Sequence, residues 1–524
     1  MTAPVTPSLT ETTLRPSRTV PIPLTTLAAL AGVSVLAAPP AGAVTGITLR
    51  AQHARPGDLF AALPSLTAGR PHGADFAATA LAAGAVAVLT DAEGVQRLQQ
   101  LPQFDSGEFG PGEVPVLVHA HPRAVLGAVS ARIYGEPSTR LAVLGVTGTS
   151  GKTTTTFLLE AGLRAAQAHT GLLGTVQARI GDQVLPSAFT TPEAPDLQAL
   201  LGLMVERGVT HLPMEVSSHA LALDRVTGTS FAVGAFTNLS QDHLDFHADL
   251  EEYFNAKALL FDGRAAAEVV CVDDAWGRRL VTGATRTVSL DGANTAATWR
   301  AIDLTTAASG SQTFRVLGPD GFDQPAQVRL PGSFNVTNAL MAVAIAEAAG
   351  VDPGLVLHGI ATAEVPGRMQ RVDTGQSFLA LVDYAHKPAA VAALLDAVRA
   401  QVPGRLLVVL GCGGDRDAGK RPMMGAEAAA RADLLVVTDD NPRTEDPAAI
   451  RAAMINGARI GLAEVVEIGD RAAAIGYAVA QARTGDAVVV AGKGHETGQQ
   501  MHGVTSAFSD VGVLAQALAG RSAR

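Results

Sequence analysis

Ten residues set the tightest limit on what this chain can fold into: Gly145-Val146-Thr147-Gly148-Thr149-Ser150-Gly151-Lys152-Thr153-Thr154 follow the apolar run Leu141 to Leu144 and precede the helix-like stretch Phe157 to Ala168. A strand, a glycine loop and a helix start form a phosphate cradle. The loop N–H groups and the positive end of the helix point at a polyphosphate, Lys152 reaches its terminal oxygens, and Thr153 offers a hydroxyl to Mg²⁺. ATP is therefore the expected ligand. The general P-loop pattern wants a glycine separated from Gly151-Lys152 by four residues, where this chain has Val146.

At 524 residues the chain has room for three domains of ordinary size. A net charge of −10 gives no general basic field for nucleic acid or anionic lipid, so an anionic substrate has to be met by local arginines and lysines. The expected partners are small molecules, and the expected state is a monomer. Cys271 and Cys412 stand far apart with no metal spacing, which suits a reducing compartment. Arg15 and Arg18 before Leu24 to Ala38, with Ala41-Gly42-Ala43 after it, have the form of an export signal; Pro21 and Pro23 interrupt it, and the stretch reads equally as a short first helix. With an ATP loop in the same chain, the cytoplasm is the expected location and no membrane span is expected.

Residues 1–20 read as a Thr, Pro and Ser rich disordered tail. Residues 21–138 carry the short mixed signals of a small α/β domain. In 139–364, apolar runs buried on both faces as in a parallel sheet end in polar clusters. Leu141 to Leu144 leads to the glycine loop, His211 to Met214 to Glu215-Val216-Ser217-Ser218-His219, and Val233 to Phe236 to the run Thr237 to His243. After Val365-Pro366-Gly367-Arg368, a natural boundary or hinge, residues 365–524 repeat the scheme. There Leu406 to Leu410 leads to Gly413-Gly414-Asp415-Arg416-Asp417, Leu434 to Val437 to Asp439-Asp440-Asn441-Pro442-Arg443, and Ala487 to Val490 to Gly492-Lys493-Gly494-His495-Glu496. Ligands of open α/β sheets bind at such strand ends, so two sheets of this kind imply two substrates brought together.

Glu215 and His243 offer an oxygen and an imidazole at strand ends, as a hard cation requires; the alternatives are a helix-capping glutamate and a histidine satisfied by a carboxylate. Helical spacing over Leu250 to Phe261 puts Lys257 inside the stripe of Leu250, Tyr253, Phe254, Leu260 and Phe261. Such a lysine either snorkels past its neighbours or reacts as an amine, for example with CO₂. Arg416 and Arg443 can each grip a carboxylate bidentately or serve in surface ion pairs, and Glu496 can accept from an ammonium.

The glycine loop, Met214-Glu215-Val216-Ser217-Ser218-His219-Ala220-Leu221, Asp242-His243-Leu244-Asp245-Phe246-His247, Ala256-Lys257 and Asp440-Asn441-Pro442-Arg443 together resemble the Mur ligases of bacterial cell-wall synthesis. The resemblance runs over the whole chain beyond the tail, and the family's own loop spacing accounts for Val146. It implies three domains: an N-terminal α/β domain for a uridine nucleotide, a central P-loop ATPase-like parallel sheet, and a Rossmann-like C-terminal domain for the incoming amino acid. It further implies that Gly148, Thr149, Ser150, Gly151, Lys152, Thr153, Thr154 and Asn335 hold ATP. Thr153, Glu215, His243 and a carbamylated Lys257 (N6-carboxylysine) would hold Mg²⁺, with Lys152, Lys257, Glu215 and His243 as the catalytic set. Leu49, Thr190, Thr191, Ser217 and Arg225 would meet a UDP-muramoyl-dipeptide. Arg416, Asp440, Asn441, Pro442, Arg443, Gly492 and Glu496 would form the amino-acid pocket.

Within the family the form Asp-Asn-Pro-Arg accompanies meso-2,6-diaminopimelate, whose far end carries a carboxylate for the arginines and an ammonium for Glu496. The implied reaction is ATP-dependent amide formation on a cell-wall precursor through an acyl phosphate. Lysine or ornithine as acceptor, and a folylpolyglutamate-type ligase, are the neighbouring readings. Two departures from relatives, Arg50-Ala51-Gln52 in place of Asp-Ser-Arg and Leu223 in place of glutamine, fall on expected nucleotide-sugar contacts.

Overall fold

A computed structural model describes residues 14–36, 43–67, 69–102, 114–185, 190–291, 294–307 and 310–522. Two compact units emerge. One holds residues up to Thr147 with Ala168–Gly234 and Ala256–Ala267; the other holds Gly148–Gln167, Ala235–Asn255 and Glu268–Arg524. The units cut across the expected central segment because its parts pack with different partners. Leu141, Val143, Leu212, Met214 and Phe231 share a core with the helix Ala194–Glu206 in the first unit. The helix Lys152–Ala165 packs in the second, where Gly162 lies against Val356.

In the first unit a five-stranded sheet has the order Ser34–Leu36, Val116–Val118, Ala87–Thr90, Asp58–Ala61, Gly46–Thr48, parallel except at Ser34–Leu36. The apolar stretch after Pro23 is the expected short first helix, Leu24–Ala31, with Leu24, Leu27, Ala28 and Ala31 buried. Ala41 and Gly42 lie outside the described residues. The expected tail is described only from residue 14, and there the chain is already anchored. Arg15 grips both oxygens of the buried Asp58 at 2.7 and 2.8 Å and donates to the Ile47 carbonyl at 3.2 Å. The backbone N–H of Ser17 donates to Glu206 at 2.7 Å, and the Thr19 hydroxyl to the Thr45 carbonyl at 2.7 Å. The ordered chain thus starts before Pro23, because a buried carboxylate at Asp58 demands a cation. In the same unit His211–Glu215 runs parallel to Ala142–Thr147, with Glu215 opposite Val146.

In the second unit a six-stranded sheet has the order Gln370–Arg371, Leu379–Asp383, Ala487–Ala491, Leu406–Leu410, Leu434–Val437, Glu464–Glu467, and all pairs but the first are parallel. Ala487–Ala491, Leu406–Leu410 and Leu434–Val437 are buried at every residue. The edge strand Glu464–Glu467 carries glutamates at both ends and is partly exposed, as an edge tolerates. Behind this sheet Arg471 and Asp510 form an ion pair with neither side chain exposed: Nε and Nη2 donate to the two carboxylate oxygens at 2.7 and 2.8 Å, and Nη2 also to the Ala491 carbonyl at 2.9 Å.

That pair gives a stability test. Arg471→Met leaves Asp510 charged and unpaired in the interior and is expected to lower stability by about 3–5 kcal/mol, whereas Arg471→Met with Asp510→Leu recovers most of the loss. Urea unfolding of the two variants measures the difference.

Candidate functional site

The glycine loop turns two residues later than the general pattern. Val146 is still strand, fully buried and paired with Glu215, so a glycine there has no turn to make. The chain turns at Gly148 (φ 143°) and Gly151 (φ 90°), backbone conformations that favour glycine. Space forbids a side chain as well: a Cβ on Gly148 would sit 1.9 Å from the Thr237 hydroxyl, and one on Gly151 2.5 Å from Asn338 Oδ1. The loop is buttressed by its neighbours. Thr149 N–H donates to the Asn238 carbonyl at 2.8 Å, Ser150 N–H to Asn238 Oδ1 at 3.0 Å, and the Thr237 hydroxyl to the Ser150 carbonyl at 2.7 Å. Lys152 Nζ folds over the loop onto the Gly148 and Thr149 carbonyls at 2.7 and 3.1 Å. Thr153 and Thr154 are buried in the first turn of Lys152–Ala165, and the Thr153 hydroxyl accepts from Arg368 at 3.2 Å. This cradle fits a polyphosphate: it joins positive-φ glycines, a lysine and the start of a long helix.

Asn335, expected at the adenine, is buried. Its Nδ2 donates to the Pro331 carbonyl at 2.6 Å and its Oδ1 accepts from Asn338 at 3.1 Å. Because Asn338 is also the residue beside Gly151, Asn335 is tied to the glycine loop through it.

In the first unit a second cluster assembles around Glu215, which is 1% exposed. Thr175 donates to it twice, backbone N–H to Oε1 at 2.9 Å and hydroxyl to Oε2 at 3.0 Å. Thr190 meets the Thr175 hydroxyl at 3.0 Å, Thr191 donates to the Glu215 carbonyl at 3.0 Å, and Ser217 N–H reaches the Thr191 hydroxyl at 3.4 Å. Arg225 donates to the Thr191 carbonyl at 3.4 Å and pairs with Glu193 at 3.0 Å. Thr190, Thr191, Ser217 and Arg225, expected together, are therefore together, and Thr175 and Glu193 join them. Leu49 follows the strand Gly46–Thr48. Of the two departures, Arg50 lies 3.6 Å from Asp196, and Leu223 caps the helix Ser218–Ala222.

Lys257 sits in the helix Leu250–Ala258 and is 1% exposed, so the stripe that places it inward holds. His243 has a positive φ of 53°, and its Nε2 lies 2.9 Å from Asp242, whose carboxylate Lys387 also meets at 2.6 Å. Burial pushes the Asp242 carboxyl up, but the His243 hydrogen bond and the Lys387 ammonium outweigh it and hold the group well below the usual range. Among the described residues no three His, Cys, Asp or Glu side chains gather as a metal cluster. In the second unit the Thr153 hydroxyl, and in the first the buried Glu215 carboxylate, are each an oxygen donor of the kind a hard cation takes.

In the second unit the loops after Leu406–Leu410, Leu434–Val437 and Ala487–Ala491 leave the same edge of the sheet, as parallel strands require. Asp440 is buried, and burial pushes its carboxyl up. Asn441 Nδ2 donates to Glu496 Oε2 at 2.8 Å. Arg443 (φ 56°) follows Pro442, and its guanidinium donates to the Gly414 carbonyl. Arg416 is 60% exposed and stands 3.9 Å from Asp245. Each of the two arginines thus has its own partner within the chain, a backbone carbonyl for Arg443 and a carboxylate for Arg416. Lys493, fully buried among Asn441 and Glu496, was missed, since a lysine in a glycine-rich loop reads as solvated.

Residues 146–346 match the family model described as Mur ligase middle domain, and residues 367–494 the one described as Mur ligase, glutamate ligase domain. The UDP-N-acetylmuramoyl-L-alanyl-D-glutamate--2,6-diaminopimelate ligase of Corynebacterium glutamicum is 52% identical over 462 residues, 86% of this chain and 87% of that protein. The protein of the same name in Streptomyces coelicolor is 50% identical over 513 residues, 96% of this chain and 98% of that one. A solved structure of that name superposes with a TM-score of 0.67 at 32% identity, covering 96% of this chain and 100% of the other.

The loop geometry yields a binding test. Gly151→Ala places a methyl group against Asn338 at a strained φ and distorts the loop; a loss of ~1–3 kcal/mol in binding corresponds to roughly fivefold to 150-fold weaker ADP binding. Calorimetric titration with ADP measures the weakening, and because the same strain is present in the free protein a lowered thermal midpoint is expected beside it.

Proposed function

This chain belongs to the Mur ligase family, and from that membership we propose that it joins meso-2,6-diaminopimelate to the D-glutamate γ-carboxylate of UDP-N-acetylmuramoyl-L-alanyl-D-glutamate, with ATP as the activating substrate. The observation that carries this reading is a buttressed polyphosphate loop in the same chain as a strand-end cluster of polar and charged groups, in which Lys493 meets Glu496 and stands near Asp440 while Arg443 of the adjoining loop holds the Gly414 carbonyl. A zwitterionic amino-acid end suits such a cluster. Among the described residues no helix is long and apolar enough to cross a membrane. The enzyme is proposed to act in the cytoplasm, as a monomer, in peptidoglycan precursor synthesis.

A carboxylate does not accept an amine directly, because its oxygen is a very poor leaving group. In the proposed reaction the γ-carboxylate attacks the γ-phosphorus of ATP, ADP leaves, and an acyl phosphate forms. An amine of diaminopimelate then attacks the acyl carbon, the amide bond forms, and inorganic phosphate departs. Gly148 to Thr154 orient the phosphates, with Lys152 exchanging its loop carbonyls for the terminal phosphoryl oxygens. Thr153, Glu215, His243 and a carbamate on Lys257 would hold Mg²⁺, which when bound spreads the charge developing on the transferred group. Thr190, Thr191, Ser217 and Arg225 would orient the muramoyl-dipeptide, with Leu49 toward its uridine end. Asp440 to Arg443, Arg416, Gly492 and Glu496 would receive the amino acid. Arg416 is exposed and has only a loose partner in Asp245, which leaves its guanidinium able to turn to a substrate carboxylate.

Phosphate release from ATP measured with UDP-muramoyl-dipeptide and diaminopimelate, lysine or ornithine tests the reading. Release is expected to need the dipeptide and diaminopimelate together; release indifferent to any amino acid overturns the ligase, and a preference for lysine or ornithine overturns the acceptor. Lys257→Ala is expected to lose roughly a hundredfold or more in kcat, with partial recovery on adding acetate. Normal turnover in that variant removes the carbamate role.

A further inference from the structure

Lys493 has no exposed surface, although it lies in a loop at a strand end where ligands bind. Its ammonium donates to Asn441 Oδ1 at 2.9 Å and to Glu496 Oε2 at 2.9 Å, and it stands 3.9 Å from Asp440. The loop backbone drives it inward. Gly492 has φ 113° and passes so near Asp440 that a Cβ would lie 2.7 Å from the carboxylate; Glu496 N–H closes the turn on the Lys493 carbonyl at 2.9 Å.

The bonds around this ammonium are directional. Asn441 Oδ1 also accepts from the Gln500 N–H at 3.0 Å, so donors on that side fix which end of the amide is oxygen, and its Nδ2 is turned to Glu496 Oε2 at 2.8 Å. Two donors therefore converge on one oxygen of Glu496. Among the described residues no hydrogen bond or ion pair ends on the other, Oε1, and the side chain is 31% exposed. A buried ion pair contributes little net stability, so the arrangement calls for another role.

We infer that Lys493 is a positioning residue of the amino-acid pocket: with Asn441 it locks Glu496 Oε2 inside the protein and thereby presents Oε1 to the far-end ammonium of the incoming amino acid. The inference rests on the proposed ligase reading for the identity of that amino acid. Lys493 itself touches no substrate. Without it Glu496 rotates, and a neighbouring carboxylate, Asp440, loses the cation closest to it. Binding energy from a charged hydrogen bond is realised only when donor and acceptor are held in place beforehand.

The test compares diaminopimelate with 2-aminopimelate, which keeps both carboxylates and lacks the far-end amine. In Lys493→Met the KM for diaminopimelate is expected to rise about tenfold to a hundredfold, the range of a lost charged hydrogen bond. KM for ATP and for 2-aminopimelate stays as in the wild type, so discrimination between the two acids collapses. In a Glu496→Gln background the same substitution adds nothing further, the signature of residues acting as one unit. Lys493→Gln, which keeps a neutral donor, falls between and stands in for the methionine variant if that one does not fold. Equal losses for both amino acids, additive losses with Glu496→Gln, or a fall in kcat at constant KM overturns the inference while leaving the ligase reading intact. A wild-type enzyme that turns over neither acid overturns the ligase reading itself, and the inference with it.

Discussion

Burial of a parallel sheet on both faces is the constraint on which the rest of the second unit depends. Strands such as Leu406–Leu410 and Ala487–Ala491 have no solvated side, so every residue in them is apolar and their backbone groups are satisfied by neighbouring strands. Polar chemistry is thereby confined to the loops that leave the carboxyl edge. Because the strands are parallel, all of those loops leave the same edge, and Asn441 and Glu496, 55 residues apart, come within one hydrogen bond of each other. The glycine loop follows the same rule after Ala142–Thr147, where buried strand gives way at once to positive-φ backbone.

Three buried charges show how differently a partner can be used. Arg15 meets Asp58, Arg471 meets Asp510, and Lys493 meets Glu496. The pairs differ in what their donors leave unspent. Arg471 engages both oxygens of Asp510 and a carbonyl, so it closes on itself as a structural link. Lys493 and Asn441 converge on one oxygen only, which is the arrangement of a site that expects another cation.

Much of this architecture is legible in the sequence, for reasons that also mark where legibility ends. Leu406–Leu410 and Leu434–Val437 match their apolar runs residue for residue, since nothing polar survives in a doubly covered strand. The inward direction of Lys257 follows from helical spacing. The start of the loop helix does not follow: it begins at Lys152, well before Phe157, because Thr153 to Thr156 look like loop or strand residues yet are all buried in its first turns. Thr175 lies 40 residues from Glu215, a partnership that no local pattern encodes. Arg416 and Arg443 illustrate the opposite limit: their residue type and loop position can be read locally, but the partners they meet, Asp245 and the Gly414 carbonyl, come from the fold. Val146 shows a motif departure resolved by register, because the strand simply runs on to Thr147.

The segment around Arg15 has a consequence for the order in which the molecule is made. Ser17 bonds to a glutamate 189 positions further along the chain, and Arg15 waits 43 positions for Asp58. During synthesis this segment emerges well before the helix Ala194–Glu206, which carries its last anchor. At ~5–20 residues per second that is an interval of roughly ten to forty seconds. Arg15 can meet Asp58 as soon as that strand is in place, but the Ser17 contact waits through the whole interval for Glu206, so the first unit is completed backward, by a late helix capturing an early stretch of chain.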